Sequence, residues 1–388
     1  METIPLMATA AFGLEAVIKR ELQQLGYDDV TVEDGRLRFE GDARAIARCN
    51  LWLRSADRLL LQIGEFEARD FGELFDQTNE LPWEQWLTAD AEFPVNGRST
   101  KSQLHSVPDC QRIVKKAIVE RLKSHYRLDW FEETGPAYPI EVNLLRDRAT
   151  LTLDTTGAGL HKRGYRTLTS RAPLKETLAA ALVQLSYWNE TRLLIDPCCG
   201  SGTIPIEAAM IGRNMAPGLQ RSFISEQWPQ INQSVWDDAR SEARDLVRDR
   251  LDFRLIGTDI DEGAIRLARQ HAIAAGVADD VHFQQRPAAE LSSSTKFGCL
   301  ITNPPYGERM GEHDEVVSLY RDIGRFFANL DRWSAYVLTS HPNFTKHFGR
   351  KADRRRKLYN ARIACTYYQF NGPRPPGRRS NAVGESEM

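Results

Sequence analysis

The feature that most limits the possible folds lies in the second half of the chain. "RLLIDPCCGSGTIPIEAAMI" (192–211), "RLIGTDIDEGAIRLARQHAIAAG" (254–276), "CLITNPPYGER" (299–309) and "SAYVLTS" (334–340) each carry a short, fully apolar run, and helical patterns separate them. Strands buried on both faces read as unbroken apolar runs, and parallel neighbours need a helical crossover between them. The order after Pro173 therefore predicts an α/β domain built on an open, mostly parallel, Rossmann-like sheet with helices on both faces. Residues 214–250, with their Trp and charged residues, interrupt this order as an insertion between the first two strands.

The first half has a different rhythm. "LEAVIKRELQQL" (14–25) places apolar residues at 14, 17, 18, 22 and 25, a helical stripe stopped by Gly26. "VTVEDGRLRFEG" (30–41) alternates about Asp34-Gly35, a hairpin signal, and a second helix leads to a strand near 59–66. This predicts a small α+β unit over 1–66. A second unit over 67–165 contains the basic amphipathic helix "CQRIVKKAIVERLKSHY" and a hairpin across Arg146-Asp147-Arg148. Its end, the glycine-rich and basic "TGAGLHKRGYR" (156–166), reads as a linker into the 166–372 domain, with a disordered tail over 373–388.

Length allows two or three such units in 388 residues, 41% of them hydrophobic. No run approaches the roughly 18 apolar residues of a membrane span, and the N-terminus turns charged too soon for a cleavable signal, so a cytoplasmic protein is expected. The six cysteines form no CxxC pair and no metal-spaced cluster, which predicts free thiols and no metal site. A net charge of −2 argues against a polyanion partner only on average. Arg98 to Arg127 holds eight Lys/Arg against Asp109 and Glu120, and Arg350 to Arg379 holds ten against Asp353 alone. Either stretch could attract phosphate.

Ligands of open α/β sheets bind beyond the carboxyl ends of the strands. "DPCCGSGT" (196–203) falls there: Gly200 and Gly202 let backbone approach a ligand, and the helix from Thr203 offers amide donors. It is not a phosphate loop, since no Gly-Lys-Ser/Thr follows, and Pro205 replaces the third glycine of the dinucleotide fingerprint. Asp259 ends the second strand and suits the hydroxyls of a ribose. It stands 59 residues after Gly200, a gap the insertion explains. Asp261 fits a helix cap.

Two prolines after a strand make a stiff turn that serves no ladder. In "TNPPYGER" the Asn303 side-chain oxygen and the Pro304 carbonyl could accept from one NH2 group, Pro305 stiffens the bend, and Tyr306 offers a stacking face. Such a turn suits a planar ring with an exocyclic amine.

"DPCCGSGT", "GTDID" and "NPPY" in this order resemble the class I S-adenosylmethionine-dependent methyltransferases that modify exocyclic amines. "ATAAFGLEAV", "VPDCQRIVKKAI", "GAGLHKRGYR", "APLKETLAAAL" and "NPPYGER" extend the likeness over about residues 3–372, to the bacterial THUMP-domain RNA methyltransferases of the large-subunit rRNA guanine-N2 type. The resemblance implies a seven-stranded class I methyltransferase domain preceded by ferredoxin-like and THUMP domains. It implies S-adenosylmethionine held by Thr177, Asp196, Gly200, Gly202, Thr203, Asp259 and Ile260, and a target amine held by Asn303, Pro304, Pro305 and Tyr306. RNA, ribosomal or transfer, is the expected partner, met by Arg112, Lys115, Lys116, Lys162 and Arg163. The acidic residue usual after the third strand is missing from "QQRPAAEL", which leaves the adenine contact unassigned. Three other readings stand beside this one: the same chemistry on adenine N6, cytosine C5 methylation through Cys198 or Cys199, and a non-catalytic RNA-binding protein.

Overall fold

The structure, a computed structural model, describes residues 3–166, 174–307 and 313–375. In the first half β1 (Ile4–Thr9), α1 (Glu15–Gln24), β2 (Thr31–Glu33), β3 (Arg36–Gly41), α2 (Ala43–Trp52) and β4 (Arg58–Glu67) are followed by α3 (Phe71–Glu80), β5 (Val95–Thr100), α4 (Val107–Tyr126), β6 (Ile140–Leu145) and β7 (Arg148–Asp154). Local chemistry sets many of the boundaries. Asp42 and Asp70 cap α2 and α3 by accepting the amides of Ala45 and Glu73 at 2.9 Å. The β6–β7 hairpin turns on Arg146 and Asp147, both at positive φ (52° and 63°), the conformation that matches strand twist in a two-residue turn.

All seven strands form one sheet, in the order β2-β3-β1-β4-β7-β6-β5. The join is β4 on β7, antiparallel, with Leu61 opposite Leu153. The break expected near Glu67 thus separates two units that share a sheet and a continuous apolar core, from Leu6 and Phe39 through Leu61 to Val142 and Leu153.

The second half holds α5 (Glu176–Gln184), β8 (Leu194–Asp196), α6 (Thr203–Gly212), α7 (Gln233–Asp245), β9 (Leu255–Asp259), α8 (Glu262–Ala274), β10 (Val281–Gln285), β11 (Cys299–Thr302), α9 (His313–Ala328), β12 (Ser334–Thr339), α10 (Phe344–Phe348), β13 (Arg354–Asn360) and β14 (Ile363–Phe370). They build a second seven-stranded sheet, β10-β9-β8-β11-β12-β14-β13. From β10 to β12 all pairs are parallel, and β14 and β13 close the edge antiparallel. The chain order reverses direction between β8 and β11, the switch point where such sheets bind ligands.

The insertion belongs to the other half by packing. Trp228 stacks on Tyr138 (4.7 Å between centroids, 20° between planes), Trp236 stacks on Phe223 within the insertion (5.5 Å, 15°), and all three insertion rings lie in the first-half core. Such aromatic pairs contribute about 0.5–1.5 kcal/mol each beyond burial. Glu242 adds ion pairs to Arg44 and Arg48 at 3.2 and 3.0 Å. An excursion from the second sheet thereby clamps the two halves together.

The segment 156–166 departs from the expected linker. Thr156, Leu160, Arg163 and Tyr165 are buried in it. Arg163, expected to meet RNA, is 2% exposed and donates to the carbonyls of Leu160 (2.7 Å) and Arg54. Its Nε lies 3.4 Å from Glu207 on α6, which also accepts the Tyr165 hydroxyl at 3.2 Å. Side chains this enclosed do not reach a phosphate; the arginine is consumed as an internal tie between the halves. The tail expected to be disordered over 373–388 lies, from 376 onward, outside the described residues.

Removing one partner of a buried pair strands the other charge, at a cost of about 3–5 kcal/mol, whereas apolar replacement of both is close to neutral. Arg163→Ala is therefore expected to lower the unfolding free energy by that amount, seen as a lower urea midpoint at unchanged slope, and Arg163→Met with Glu207→Leu to recover most of it. Equal midpoints for Arg163→Ala and wild type in urea titrations would contradict this assignment.

Candidate active site

Parallel register sets Cys299 opposite Leu194 and Leu300 opposite Ile195, so β8 and β11 end side by side. The loops that follow them, glycine-rich and proline-rich, leave the sheet at one place. Asp196 ties the two ends: its Oδ1 accepts the Thr302 hydroxyl at 2.6 Å and the Cys198 amide at 3.1 Å. At 1% exposure, burial pushes this carboxyl up to about 7, against the opposing pull of those two donors and with a further push from the Asp259 charge. Expected as a direct cofactor contact, Asp196 is enclosed and acts on the geometry of both loops.

Gly200 and Gly202 sit at φ +51° and +84°, in the left-handed region. A Cβ at 202 would come within 2.6 Å of the Phe283 ring, while at 200 it would meet open space. The Gly200 amide donates to Asp259 Oδ2 at 2.9 Å, and Asp259 Oδ1 accepts the Asp261 amide at 3.0 Å. A carboxylate oxygen has a second lone pair, so both remain able to accept from a diol. Asp261 caps α8, accepting from Gly263 and Ala264 at 2.7 and 3.3 Å, as its position in the sequence predicts. Ile260, one residue past the carboxylate, is 71% exposed.

Thr203 opens α6 and accepts from Arg166 Nη2 at 2.6 Å, and Arg166 pairs with Glu176 at 3.2 Å. Thr177, beside Glu176 at the start of α5, is 3% exposed. Arg166 and Glu176 were not singled out in the sequence, although both lie inside segments that carry the family likeness. Arg166 Nε, Glu176 Oε2 and Thr258 Oγ1 are buried with no hydrogen-bond partner among the described residues. Unpartnered donors and acceptors beside a left-handed glycine loop fit a polar, zwitterionic ligand such as the amino-acid end of S-adenosylmethionine.

The double-proline turn stands next to this loop. Asn303 is half-buried, Pro304 buried and Pro305 exposed. The Tyr306 hydroxyl donates to Asn303 Oδ1 at 2.5 Å and accepts from Asn360 Nδ2 at 3.2 Å. Burial raises the phenol well above its ordinary range, so it stays a donor at neutral pH. Beyond the stacking face expected of it, Tyr306 sets the amide of Asn303 through its hydroxyl, and Asn303 Oδ1 keeps a second lone pair. The Pro305 carbonyl accepts from the Tyr320 hydroxyl at 2.8 Å. Glu308 and Arg309 lie outside the described residues.

Cys198 and Cys199 are free thiols, and burial pushes both well above the ordinary range. That opposes the thiolate a C5 nucleophile needs. Among the described residues no group of His, Cys, Asp or Glu could hold a metal ion.

On α4 the expected RNA contacts separate. Lys115 donates to Glu133 at 2.7 Å and to the Phe93 carbonyl at 3.1 Å, with its ammonium 3.6 Å from the Phe93 ring centroid, so it is spent within the fold. Arg112 pairs with Asp109 at 2.6 Å with its side chain 76% exposed, while Lys116 and Lys162 are exposed.

Comparison with known proteins agrees with this geometry. Residues 5–60 match the RlmL ferredoxin-like domain, 68–154 the THUMP domain, and 163–369 the family UPF0020, RMKL-like, methyltransferase domain. The chain is 48% identical to the Bacillus subtilis protein YpsC, named as a candidate RNA methyltransferase, over 98% of this chain and 99% of that one. It is 36% identical to the Syntrophotalea carbinolica ribosomal RNA large subunit methyltransferase K/L over 95% of this chain, but spans only 53% of that relative. A crystal structure from Listeria monocytogenes, described as a predicted N6-adenine-specific DNA methylase, superposes with a TM-score of 0.92 at 50% identity, covering 96% of this chain and 97% of that one. SMU.472, described as a candidate methyltransferase complexed with SAH, gives 0.91 at 44% identity, covering 97% of this chain and 100% of that one. The chain thus belongs to the RMKL-like methyltransferase family, with RlmL-type ferredoxin-like and THUMP domains ahead of a class I catalytic domain that uses S-adenosylmethionine.

Proposed function

We propose that this protein methylates the exocyclic N2 amine of a guanine in large-subunit ribosomal RNA. The observation that carries the reading is the Asn303 turn, held by Tyr306 and Asn360 beside the Gly200 loop on the adjacent strand. The THUMP match and the relatives named for RNA and for ribosomal RNA support an RNA substrate.

S-adenosylmethionine supplies a methyl group on a sulfonium, an already activated leaving group. The work left to the chain is alignment, and well-oriented reactants gain roughly 7–11 kcal/mol of barrier reduction. Asn303 Oδ1 and the Pro304 carbonyl accept the two amine hydrogens, which turns the nitrogen lone pair toward the donor site. Asp259 holds the ribose hydroxyls, and Ile260 covers the ring. Nitrogen becomes acidic only once methylated, so its proton passes to water without a strong base. A base must leave its helix first, at a cost of a few kcal/mol, and contacts elsewhere on the RNA offset it. Exposed Lys116 and Lys162 serve as such contacts.

The turn recognises an amine and not the ring that bears it, so adenine N6 is the second reading, favoured by the description of the Listeria structure. Incubating RNA from a strain lacking the gene with methyl-labelled donor and digesting it to nucleosides should yield N2-methylguanosine. Labelled N6-methyladenosine would transfer the reading to adenine. Asn303→Ala is expected to lose at least about 100-fold in kcat while S-adenosylhomocysteine affinity, measured by calorimetry, stays at the wild-type value. Asp259→Ala should do the reverse first, weakening S-adenosylhomocysteine by about 10- to 100-fold through loss of charge-assisted hydrogen bonds. Wild-type turnover in the Asn303 variant would end the amine-holding role.

A further inference from the structure

The second basic stretch, from Arg350 onward, has no part in the chemistry above. Four of its ten cations, Arg354, Arg355, Arg356 and Lys357, lie on β13, the edge strand of the catalytic sheet. Thr366 on β14 lies opposite Thr339 at the end of β12, so the turn between Asn360 and Ile363 projects past the carboxyl ends of the parallel strands, the end that carries Asn303. Asn360 then reaches Tyr306 directly, at 3.2 Å. Hairpin tip and double-proline turn are in contact.

The ferredoxin-like domain meets the same tip from the other side. Its first loop puts Phe12, 54% exposed, edge-on against Tyr359, with centroids 5.9 Å apart and planes at 84°. This exposed ring is not loosely held. Gly13, at φ +88°, passes so close to β13 that a Cβ would fall 2.8 Å from the Lys357 carbonyl, and its own carbonyl accepts from Arg356 at 3.1 Å. Glu15 accepts the amides of Gly13 and Gly35 at 2.8 and 3.2 Å, and Leu14 is buried in the catalytic core.

Arg355, Lys357 and Tyr359 share one face of β13 by strand alternation. Arg355 lies over Tyr368 (5.4 Å) and Lys357 over Tyr359 (5.4 Å), and both cations are exposed with no carboxylate partner among the described residues. On α4 the contrast is direct, since Arg112, Lys115, Arg121 and Lys123 all face acids of the same chain.

We infer that Phe12 and Tyr359, with Arg355 and Lys357 behind them, form a stacking platform for the single-stranded RNA that flanks the target nucleotide. This rests on the RNA methyltransferase reading and names the part of the surface that serves it. Rigid aromatic edges interleaved with unpaired cations match a sugar-phosphate strand with splayed bases. A protein partner would call for an apolar centre poor in charge, which this face lacks. When the target base leaves its stack, its neighbour loses a stacking partner, and Phe12 stands where a replacement is needed.

The test uses the full-length enzyme, a fluorescein-labelled single-stranded RNA of about 12 nucleotides, and ribosomal RNA from a strain lacking the gene. Phe12→Ala should weaken the oligonucleotide by about tenfold and raise KM for ribosomal RNA by a similar factor. Neither kcat nor S-adenosylhomocysteine affinity should move, and Phe12→Tyr should restore binding. Arg355→Glu with Lys357→Glu should flatten the slope of log affinity against log salt by about 1.4, at roughly 0.7 per phosphate on a single strand. Wild-type oligonucleotide affinity and KM in Phe12→Ala, or an unchanged salt slope in the charge variant, overturn the platform and leave this face to a protein partner. A wild-type enzyme that methylates no RNA removes the functional reading, and the binding assay still decides the platform.

Discussion

The parallel pairing of β8 with β11 is the constraint on which the rest of the molecule depends. It makes two loops from distant parts of the chain, one after Asp196 and one after Thr302, begin from adjacent positions at the switch point of the sheet. The Asp196–Thr302 hydrogen bond then fixes how the two loops depart. A buried carboxyl is costly to ionise, and this one is pushed up to about 7, so the tie carries a penalty that a hydrophobic pair would avoid. What the acid achieves and a hydrophobic pair does not is direction: one oxygen takes a hydroxyl from one loop and an amide from the other.

The relation between the two halves follows from a different kind of burial. Arg163 and Glu207 form an enclosed pair across the boundary, Tyr165 donates into it, and the 214–250 excursion packs its tryptophans into the opposite core. A flexible tether would let the THUMP unit sample many positions over the active site. With polar and apolar ties both buried, the THUMP unit is held in one position relative to the Asn303 turn.

Much of the catalytic half was legible because its signals are local. Apolar runs, left-handed glycines and a strand-ending Asn-Pro-Pro need no partner to be understood, and Asp261 could be assigned to its cap from its position alone. Arg163 failed for the opposite reason. A basic residue in a glycine-rich segment looks solvated until Glu207, 44 positions later, is known to face it. Likewise the single sheet of the first half depends on β4 meeting β7 across more than eighty residues, and Arg166 with Glu176 acquires meaning only where both meet Thr203. Long-range pairing of charges and strand edges leaves no mark in a local pattern.

The same distinction decides which basic surface matters. Counting charges ranks Arg98–Arg127 and Arg350–Arg379 as comparable, yet a cation already opposed by a carboxylate contributes little field at a distance, since the pair is closer to a dipole than to a charge. On α4 the lysine at the centre of the count is held by Glu133 and stacked on Phe93, so its structural role is complete without RNA. On β13 Arg355 and Lys357 lie over tyrosine rings and face no carboxylate among the described residues, an arrangement that keeps their charge available. Edge strands in soluble proteins commonly carry cations to prevent pairing with other chains. Here that protective charge sits on the strand whose tip touches the double-proline turn, so the row of residues that guards the edge is also the one the proposed platform uses.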